Sequence, residues 1–274
     1  MTNDFDRPRG GSGTREWSEH SLNIGLGCSH GCLYCYARTN ALRWKKIEDP
    51  EDWTRERLID SAVAKSYGKR KGVIMFPTTH DITPFYLSPA VEVLKKVLRA
   101  GNQVLVVSKP HFVCTARLCD ELTPWKDQVM FRFTITSDGT LMRQWEPGAP
   151  SEAERLEALS CAFIDGYRTS VSAEPLLTDC SLRFDEAAKY IYLKVRSHVT
   201  HSIWFGLMNH PAKRTSWCWE KKPFVEVLAK ALDLGSWKPP VIDRMIAGFE
   251  RLCSLDSRIR LKENLRKLVE RKKK

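Results

Sequence analysis

Long hydrophobic runs are missing from this sequence. It contains no stretch of about 18 consecutive apolar residues, whereas a helix that spans a bilayer needs roughly 20. The amino-terminal residues also lack the apolar core that a secretion signal carries. We therefore expect a cytoplasmic protein that has no membrane partner.

A paired set of cysteines is missing as well. The nine cysteines are an odd number, and no second CxxC pair follows the one that ends at Cys35. Secreted domains are stapled by even sets of disulfides, whereas cytosolic chains keep their thiols reduced. The count favours a reducing compartment, and we expect the cysteines outside one short loop to be small buried side chains.

Acidic residues are fewer than basic ones. The 274-residue chain has 44 lysines and arginines against 33 aspartates and glutamates, which gives a net charge of +11. Residues 256–274 alone hold nine cationic and three acidic side chains. A basic balance favours polyanionic partners such as nucleic acid, although the same segment could equally be a solvated helix that aids solubility. The hydrophobic fraction of 42% supports one large α/β domain, with or without a small appendage.

The sequence does contain a compact loop with three cysteines. Cys28, Cys32 and Cys35 occupy positions 1, 5 and 8 of one segment, and glycines before and inside it allow the backbone to bend sharply. Three thiolates from one loop can hold a metal centre, and without a fourth local cysteine an iron–sulfur cluster would keep one iron free. The same cysteines with His30 could instead form a structural zinc site, although such sites usually pair two separated knuckles.

Two strings resemble a known family. The Cx3CxxC spacing resembles the radical S-adenosylmethionine (SAM) superfamily, and residues 27–38, GCSHGCLYCYAR, resemble the cluster loop of its spore photoproduct lyase-like branch. Residues 146–156, EPGAPSEAERL, resemble a second string of that branch, in the same order along the chain. The cysteine that donates hydrogen in the photoproduct lyases has no counterpart near Thr78, so the resemblance does not extend to that repair reaction.

The resemblance implies both cofactors and chemistry. A [4Fe-4S] cluster on Cys28, Cys32 and Cys35 would bind SAM through its open iron, and an external donor of the flavodoxin or ferredoxin type would reduce it. Reductive cleavage of SAM would then give a 5′-deoxyadenosyl radical that abstracts hydrogen from the substrate, with the protein positioning and shielding the reaction. The charge and the resemblance together favour nucleic acid as the substrate, in DNA repair or modification. The alternatives are a metal-containing nucleic-acid-binding protein without catalysis, and a radical SAM enzyme that acts on a small molecule or peptide.

The pattern of elements predicts an α/β fold. Six strands, expected at about 21–26, 72–76, 103–107, 129–135, 167–171 and 202–206, alternate with helices, which is typical of a parallel sheet. The alternation includes a helix over 51–67. Six units are fewer than the eight of a closed barrel, and the resemblance implies a partial (β/α)6 TIM-type barrel that is open on one side.

We expect three regions along the chain. Residues 1–16 should be flexible, residues 17–210 should form the barrel, and residues 211–274 should form a basic helical cap with helices near 221–234, 240–253 and 256–272. In the last helix, Leu261, Leu265 and Leu268 recur at helical spacing and would dock on the body. The surrounding cations would then face solvent beside the barrel, and they extend to Lys272–Lys274.

Candidate ligands follow the predicted strands, because β/α barrels keep functional groups at the carboxyl ends of their strands. The resemblance puts Tyr34 near the adenine of SAM and Lys109 against its carboxylate. The sequence departs from the superfamily's Gly-Gly-Glu stretch after the second strand, where Thr79, His80 and Asp81 supply polar groups instead. The remaining candidates for cofactor binding are Tyr36, Thr136, Ser137 and Glu174. An ordinary turn at residues 77–81 and a surface lysine at 109 are the open alternatives, and Glu146 would either order its loop or touch the cofactor.

Overall fold

The computed structural model describes residues 4–7 and 9–271. Its main element is a seven-stranded sheet in which every pair of neighbouring strands is parallel. The strands of the chain are β1 (His20–Ser21), β2 (Gly25–Leu26), β3 (Arg57–Leu58), β4 (Val73–Phe76), β5 (Gln103–Ser108), β6 (Val129–Thr134), β7 (Arg168–Ala173), β8 (Ser202–Phe205) and β9 (Ile259–Leu261). Strands β2 and β3 form a separate antiparallel pair.

The helices follow the strands in alternation over most of the chain. They are α1 (Tyr36–Arg43), α2 (Asp60–Ala64), α3 (Pro84–Arg99), α4 (Phe112–Glu121), α5 (Gly139–Trp145), α6 (Glu152–Ile164), α7 (Phe184–Val195), α8 (Pro211–Thr215), α9 (Pro223–Ala231), α10 (Pro239–Leu255) and α11 (Glu263–Arg271). The start of α6 is capped, since the Ser151 hydroxyl accepts a hydrogen bond from the Glu154 amide at 3.2 Å. Within the described part of the chain, no helix is both long and apolar enough to cross a membrane.

The strands stand in the sheet in chain order, β1-β4-β5-β6-β7-β8-β9. Each new strand is therefore added on the same side of the preceding one, and the edge strands of the sheet are β1 and β9. The predicted α/β class with a parallel sheet is confirmed. The carboxyl ends of all seven strands meet at one edge, where a β/α protein builds its site.

The two faces of the sheet are packed differently. Alternate strand residues such as Phe76 and Val106 join the large core that contains the buried sides of α3, α4, α6, α7 and α10. The residues between them, such as Met75 and Leu105, pack instead against Phe5 and Trp17 of the amino-terminal segment. Most helices thus cover one face, and the beginning of the chain covers the other.

The predictions for the first 67 residues need correction. The expected strand 21–26 is divided into β1 and β2, and the expected helix 51–67 is a 3-10 turn at Pro50–Thr54, strand β3 and the short helix α2. The cause is the cysteine loop, against which this segment packs: the Cys28 amide donates to the Trp53 carbonyl at 2.8 Å. A Cβ on Gly27 would lie 2.2 Å from the Arg55 carbonyl oxygen, so the close approach requires glycine there.

The carboxyl-terminal segment also differs from the expectation. Residues 256–272 were predicted to be one helix, but residues 259–261 form β9, which pairs with β8, and the helix begins only at Glu263. A buried position for Ile259 in the sheet outweighs the helical spacing of the leucines, although Leu265 is buried on α11 as expected. Helices α8 to α10 therefore lie in the chain between β8 and β9, which are neighbours in the sheet. Lys272–Lys274 lie outside the described residues.

The amino-terminal segment is more ordered than expected for a flexible arm. Residues 4–6 and 13–16 form short 3-10 helices, and the side chains of Phe5 and Glu16 are buried. Phe5 supplies apolar area to the sheet, and Glu16 has a cationic partner in Lys262, 3.0 Å away. Residues 1–3 and 8 of the predicted flexible arm lie outside the described part.

Candidate functional site

A cavity of about 500 Å³ opens at the carboxyl ends of the sheet strands. Its size is in the range of sites that bind small ligands. Residues that follow β4, β5, β7 and β8 line it together with the cysteine loop and the segment before β1. Nine of the predicted site residues lie in its wall: Cys28, Cys32, Cys35, Tyr34, Tyr36, Thr79, His80, Lys109 and Glu174.

The three loop cysteines are free thiols with little exposure to solvent. Cys28 and Cys32 are buried and Cys35 is half-buried. Burial raises the pKa of the Cys32 thiol to about 12, and burial with the charge of Asp81 raises the pKa of Cys28. Such thiols would ionise at neutral pH only with a positive centre beside them, as metal coordination provides.

The surroundings of His30 argue against the zinc alternative. Its Nε2 atom lies 3.1 Å from Nε2 of His111, and its Nδ1 atom lies 3.3 Å from Oδ2 of Asp81. The Nε2 atom is thus engaged by His111, and the Nδ1 atom lies near the carboxylate of Asp81. A closed zinc site needs a fourth ligand close to the three sulfurs, and His30 does not supply it.

A buried cation lies beside the cysteines. Arg38 is 1% exposed, and its guanidinium stacks on Trp217 with 4.1 Å between the Cζ atom and the ring centroid. Among the described residues, its Nε and Nη1 atoms find no hydrogen-bond partner. Burial lowers the pKa of Arg38, and the nearby cysteines, Cys35 first, oppose that shift in their ionised form. A buried guanidinium without a carboxylate suits an anionic group bound by those thiolates.

Lys109 is a second cation directed at this cavity. It follows β5, and its Nζ atom lies 5.7 Å from the ring centroid of Tyr34. Within the part of the chain that the structure describes, no hydrogen bond or ion pair from Nζ is found. Burial alone would lower the pKa of Lys109, but the negative charges of Cys32, Glu146 and Asp81 outweigh it and raise the pKa. The side chain therefore carries a positive charge that a ligand carboxylate could neutralise.

The second string packs on the first through a buried carboxylate. Glu146 accepts hydrogen bonds from Tyr34 of the cysteine loop, from Thr136 at 3.0 Å and from Arg155. A Cβ on Gly148 would lie 2.4 Å from the Ser29 carbonyl oxygen, so glycine is required for this contact. Glu146 is not among the residues that line the cavity, which decides between its two predicted roles in favour of ordering the loop.

The other predicted ligands divide into three groups. Glu174 offers a carboxylate to the cavity, and burial raises its pKa. His80 lines the cavity, but its Nε2 accepts from the Ile24 amide and its Nδ1 donates to the Asp81 carbonyl, so no ring nitrogen is left for a ligand. Thr136 and Ser137 are buried and are not among the residues that line the cavity, and their role in cofactor binding stays a prediction.

The sequence analysis missed Arg214 as a polar residue of the cavity wall, whereas Asp81 was among the polar groups expected after the second predicted strand. Arg214 of α8 lines the cavity beside Tyr36, with 5.9 Å from its Cζ atom to the ring centroid. Asp81 holds the end of β5 by accepting from the Ser108 hydroxyl and the Lys109 amide. The position of Arg214 follows from the path of the chain after β8, and no local sequence pattern predicts that this residue lines the cavity. Arg38 was present in the matched string but carried no predicted role.

A second group of possible metal ligands lies away from this cavity. Among the described residues, Cys119, Cys161 and Asp165 have ligand atoms that all lie within 4.8 Å of one another. Cys119 is on α4 and Cys161 on α6, and Asp165 follows α6 at the surface. Such a set could hold a single metal ion. The three loop cysteines do not form a group this tight, so their sulfurs suit a larger, multi-atom centre better than one ion.

Comparisons with known proteins give little further information. No family model matches the chain. The sequence is 28% identical over 258 residues to the "Uncharacterized protein ORF301" of Acidianus two-tailed virus, in an alignment that covers 83% of this chain and 85% of the viral protein. The similarity extends along most of both chains, and the name of the viral protein assigns no activity.

Proposed function

We propose that this protein is a radical SAM enzyme that acts on nucleic acid, with a [4Fe-4S] cluster on Cys28, Cys32 and Cys35. The observation that carries the proposal is the pairing of buried thiols with unpaired cations at one cavity. Arg38 and Lys109 lie beside the cysteines without a carboxylate partner among the described residues. A thiolate-bound cluster and the carboxylate of SAM are the two anions that such a cavity would accommodate.

The protein residues have separate tasks in this proposal. The cluster and SAM would supply reductive cleavage of a sulfonium and an organic radical. Lys109 would hold the methionyl carboxylate, and Arg38 would offset the negative charge of the sulfur ligands. The Tyr34 hydroxyl is bonded to Glu146, which leaves its ring free to pack against an adenine. The buried wall of the cavity would keep water away from the radical.

The arrangement of the sheet supports an open barrel as the finer description. One-way strand order and helices on one face are what a partial (β/α) barrel requires. The structure differs from the six-unit expectation in having a seventh strand, β9, at the edge. Nucleic acid as the substrate rests on the net charge of +11.

Anaerobic reconstitution tests the proposal. The full chain would be loaded with iron and sulfide, reduced with dithionite and incubated with SAM, and we expect release of 5′-deoxyadenosine. The matched control is the Cys28→Ala, Cys32→Ala, Cys35→Ala variant, which should release none. If the reconstituted wild-type protein carries a cluster and yet neither binds nor cleaves SAM, the protein is a metal-containing binding module and the proposal fails. If 5′-deoxyadenosine is released, deuterium transfer into it from labelled DNA or RNA would identify the substrate.

A further inference from the structure

The segment before β1 bridges the open side of the sheet. On one side, the Glu19 carboxylate accepts from the Val73 amide of β4 at 2.8 Å. On the other side, the Lys262 ammonium, just after β9, donates to the Gly13 carbonyl at 2.6 Å and pairs with Glu16. We call residues 13–19 the strap. It connects the two edges of the sheet, and its residues 13–15 and 17 form part of the cavity wall.

A second, wider groove of about 850 Å³ lies at the strap and the loop before β4. Five cationic side chains line it against one carboxylate, Glu19, which is paired with Arg9 at 2.9 Å. The other four cations are exposed, and within the described part of the chain their side chains have no hydrogen bond or ion pair: Arg7, Arg15, Arg70 and Lys71. The groove therefore holds positive charge that nothing in the described protein neutralises.

The cations of the carboxyl-terminal segment are in a different state. Lys262 is buried in its ion pairs, and Arg258 pairs with Asp256 at 2.6 Å. On α11, Lys267 pairs with Glu263 at 2.5 Å, and Arg266 lies 3.9 Å from Glu270. Four of the nine cations in residues 256–274 thus have carboxylate partners among the described residues, and Lys272–Lys274 lie outside that part of the chain.

We propose that the groove at the strap is where the phosphodiester backbone of a nucleic acid binds. Successive phosphates would be contacted by Arg7, Arg70 and Lys71. Arg15 lines both the groove and the cavity of the cysteine loop, so it would contact the nucleic acid where it passes from one to the other. This inference deepens the proposed function and rests on it for the choice of nucleic acid. It places the binding surface at the strap and the loop before β4, where four cations have no partner among the described residues.

The lining of the groove also defines how the nucleic acid is recognised. Among the described residues, no Phe, Tyr or Trp side chain lines it, and its single aromatic ring, that of His20, has Nε2 3.0 Å from the Lys71 carbonyl oxygen; the groove therefore offers no row of rings on which successive bases could stack. Arginine and lysine without such a platform bind phosphates and carry no sequence preference themselves. Any selectivity would therefore arise in the cavity, at the single nucleotide that reaches it past the strap.

The salt dependence of binding tests the inference. The test variant is Arg7→Gln, Arg70→Gln, Lys71→Gln, and none of these residues lines the cavity. The matched control, Lys189→Gln, Lys194→Gln, Arg196→Gln, removes the same charge from exposed positions of α7 and the residue after it. Affinity for short fluorescein-labelled duplex and single-stranded DNA would be measured by anisotropy at several salt concentrations. We expect the log–log slope of the test variant to be flatter by about 0.9 per lost phosphate contact on duplex and about 0.7 on single strands, and that of the control to equal the wild type.

Three outcomes would overturn the inference: no binding by the wild type, equal slopes for wild type and test variant, or equal flattening in test and control variants. Release of 5′-deoxyadenosine is also measured on the same samples without nucleic acid. This second measurement tests the proposed enzyme activity independently of nucleic-acid binding. A wild type that binds through the groove but does not cleave SAM contradicts only the proposed enzyme. A wild type that cleaves SAM but does not bind contradicts only the groove. Melting curves check that both variants are folded.

Discussion

Cysteines occur in two different settings in this protein. Cys28, Cys32 and Cys35 come from one loop, face a cavity and have Arg38 beside them. Cys119 and Cys161 come from two packed helices on the outer side of the sheet, and the carboxylate of Asp165 is their nearest charged partner. The first setting places the cations Arg38 and Lys109 near the sulfurs, although Asp81 adds negative charge beside Cys28, whereas the second setting places the carboxylate of Asp165 there. Under the proposed function, the electrostatic surroundings, more than the number of cysteines, would therefore distinguish a centre for an anionic cluster from a pair of neutral thiols.

Removal of the loop thiols should have the largest effect. Replacing Cys28, Cys32 and Cys35 together by alanine should abolish the absorbance near about 400 nm of the reconstituted protein, because thiolate-bound iron gives that band. The Cys119→Ala, Cys161→Ala variant should keep it. Iron content and the visible spectrum measure both. Full iron in the first variant, or loss of the band in the second, would reverse the roles assigned to the two groups.

Loss of the carboxylate behind the loop should cost stability. Glu146→Ala leaves the Arg155 guanidinium buried without its partner, and breaking such a pair costs about 3–5 kcal/mol. Asp165→Ala at the second group removes an exposed carboxylate and should change the free energy of unfolding by less than about 0.5 kcal/mol. Denaturant unfolding compares the two. A similar small cost for both would mean that the loop is not supported by this buried pair.

The same pair predicts a pH dependence. Burial alone would raise the pKa of Glu146, but Arg155, Lys109 and Tyr34 lower it below the usual 4.5. A lowered pKa in the folded state means that the carboxylate stabilises the protein above the unfolded value, and that this contribution is lost as the pH falls through the folded value. Stability of the wild type should therefore fall on acidification below about 4.5, and that of Glu146→Gln should fall less.

A smaller effect is expected at the SAM carboxylate. Lys109→Ala should weaken SAM binding by about 1.5–3 kcal/mol, or roughly 10- to 150-fold, while the cluster survives. Lys126→Ala, whose ammonium bonds the Asp165 carbonyl near the second group, is the matched control and should leave the dissociation constant unchanged. Equilibrium binding to the reconstituted protein measures both. An unchanged constant for Lys109→Ala would make it an ordinary strand-end lysine.

The smallest expected effect is a difference in thiol reactivity between Cys119 and Cys161 on one hand and the exposed Cys180 on the other. Burial and the charge of Asp165 raise the pKa of Cys161, and burial raises that of Cys119. A raised pKa leaves less thiolate at a given pH, so at about pH 8 iodoacetamide should modify the exposed Cys180 before either of them. The rate at Cys161 should rise with pH. Peptide mass spectrometry at several times measures the order in which the cysteines are labelled. Equally fast labelling of Cys161 and Cys180 would show that the thiols of Cys119 and Cys161 ionise readily.

Local patterns predicted part of this molecule well and another part poorly. The apolar runs that became β4 to β8 were found because buried parallel strands carry their own signature. The three cysteines and Lys109 were found because a spacing and a strand end define them. Strand β9 was missed since its three residues, Ile259 to Leu261, also fit a helical stripe, and only the free edge of β8 decides between the two. Arg214 was missed because it reaches the cavity through a long excursion of the chain.

The bond between Gly13 and Lys262 joins residues 249 positions apart. A ribosome adds about 5–20 residues per second, so the partner of the strap emerges on the order of 10 to 50 s after the strap itself. During that interval Trp17 and the sheet face beneath it have no closing contact with β9. The nascent chain therefore presents an incomplete apolar surface until residues 259–262 have emerged, and a chaperone that stays bound until then would protect this protein most.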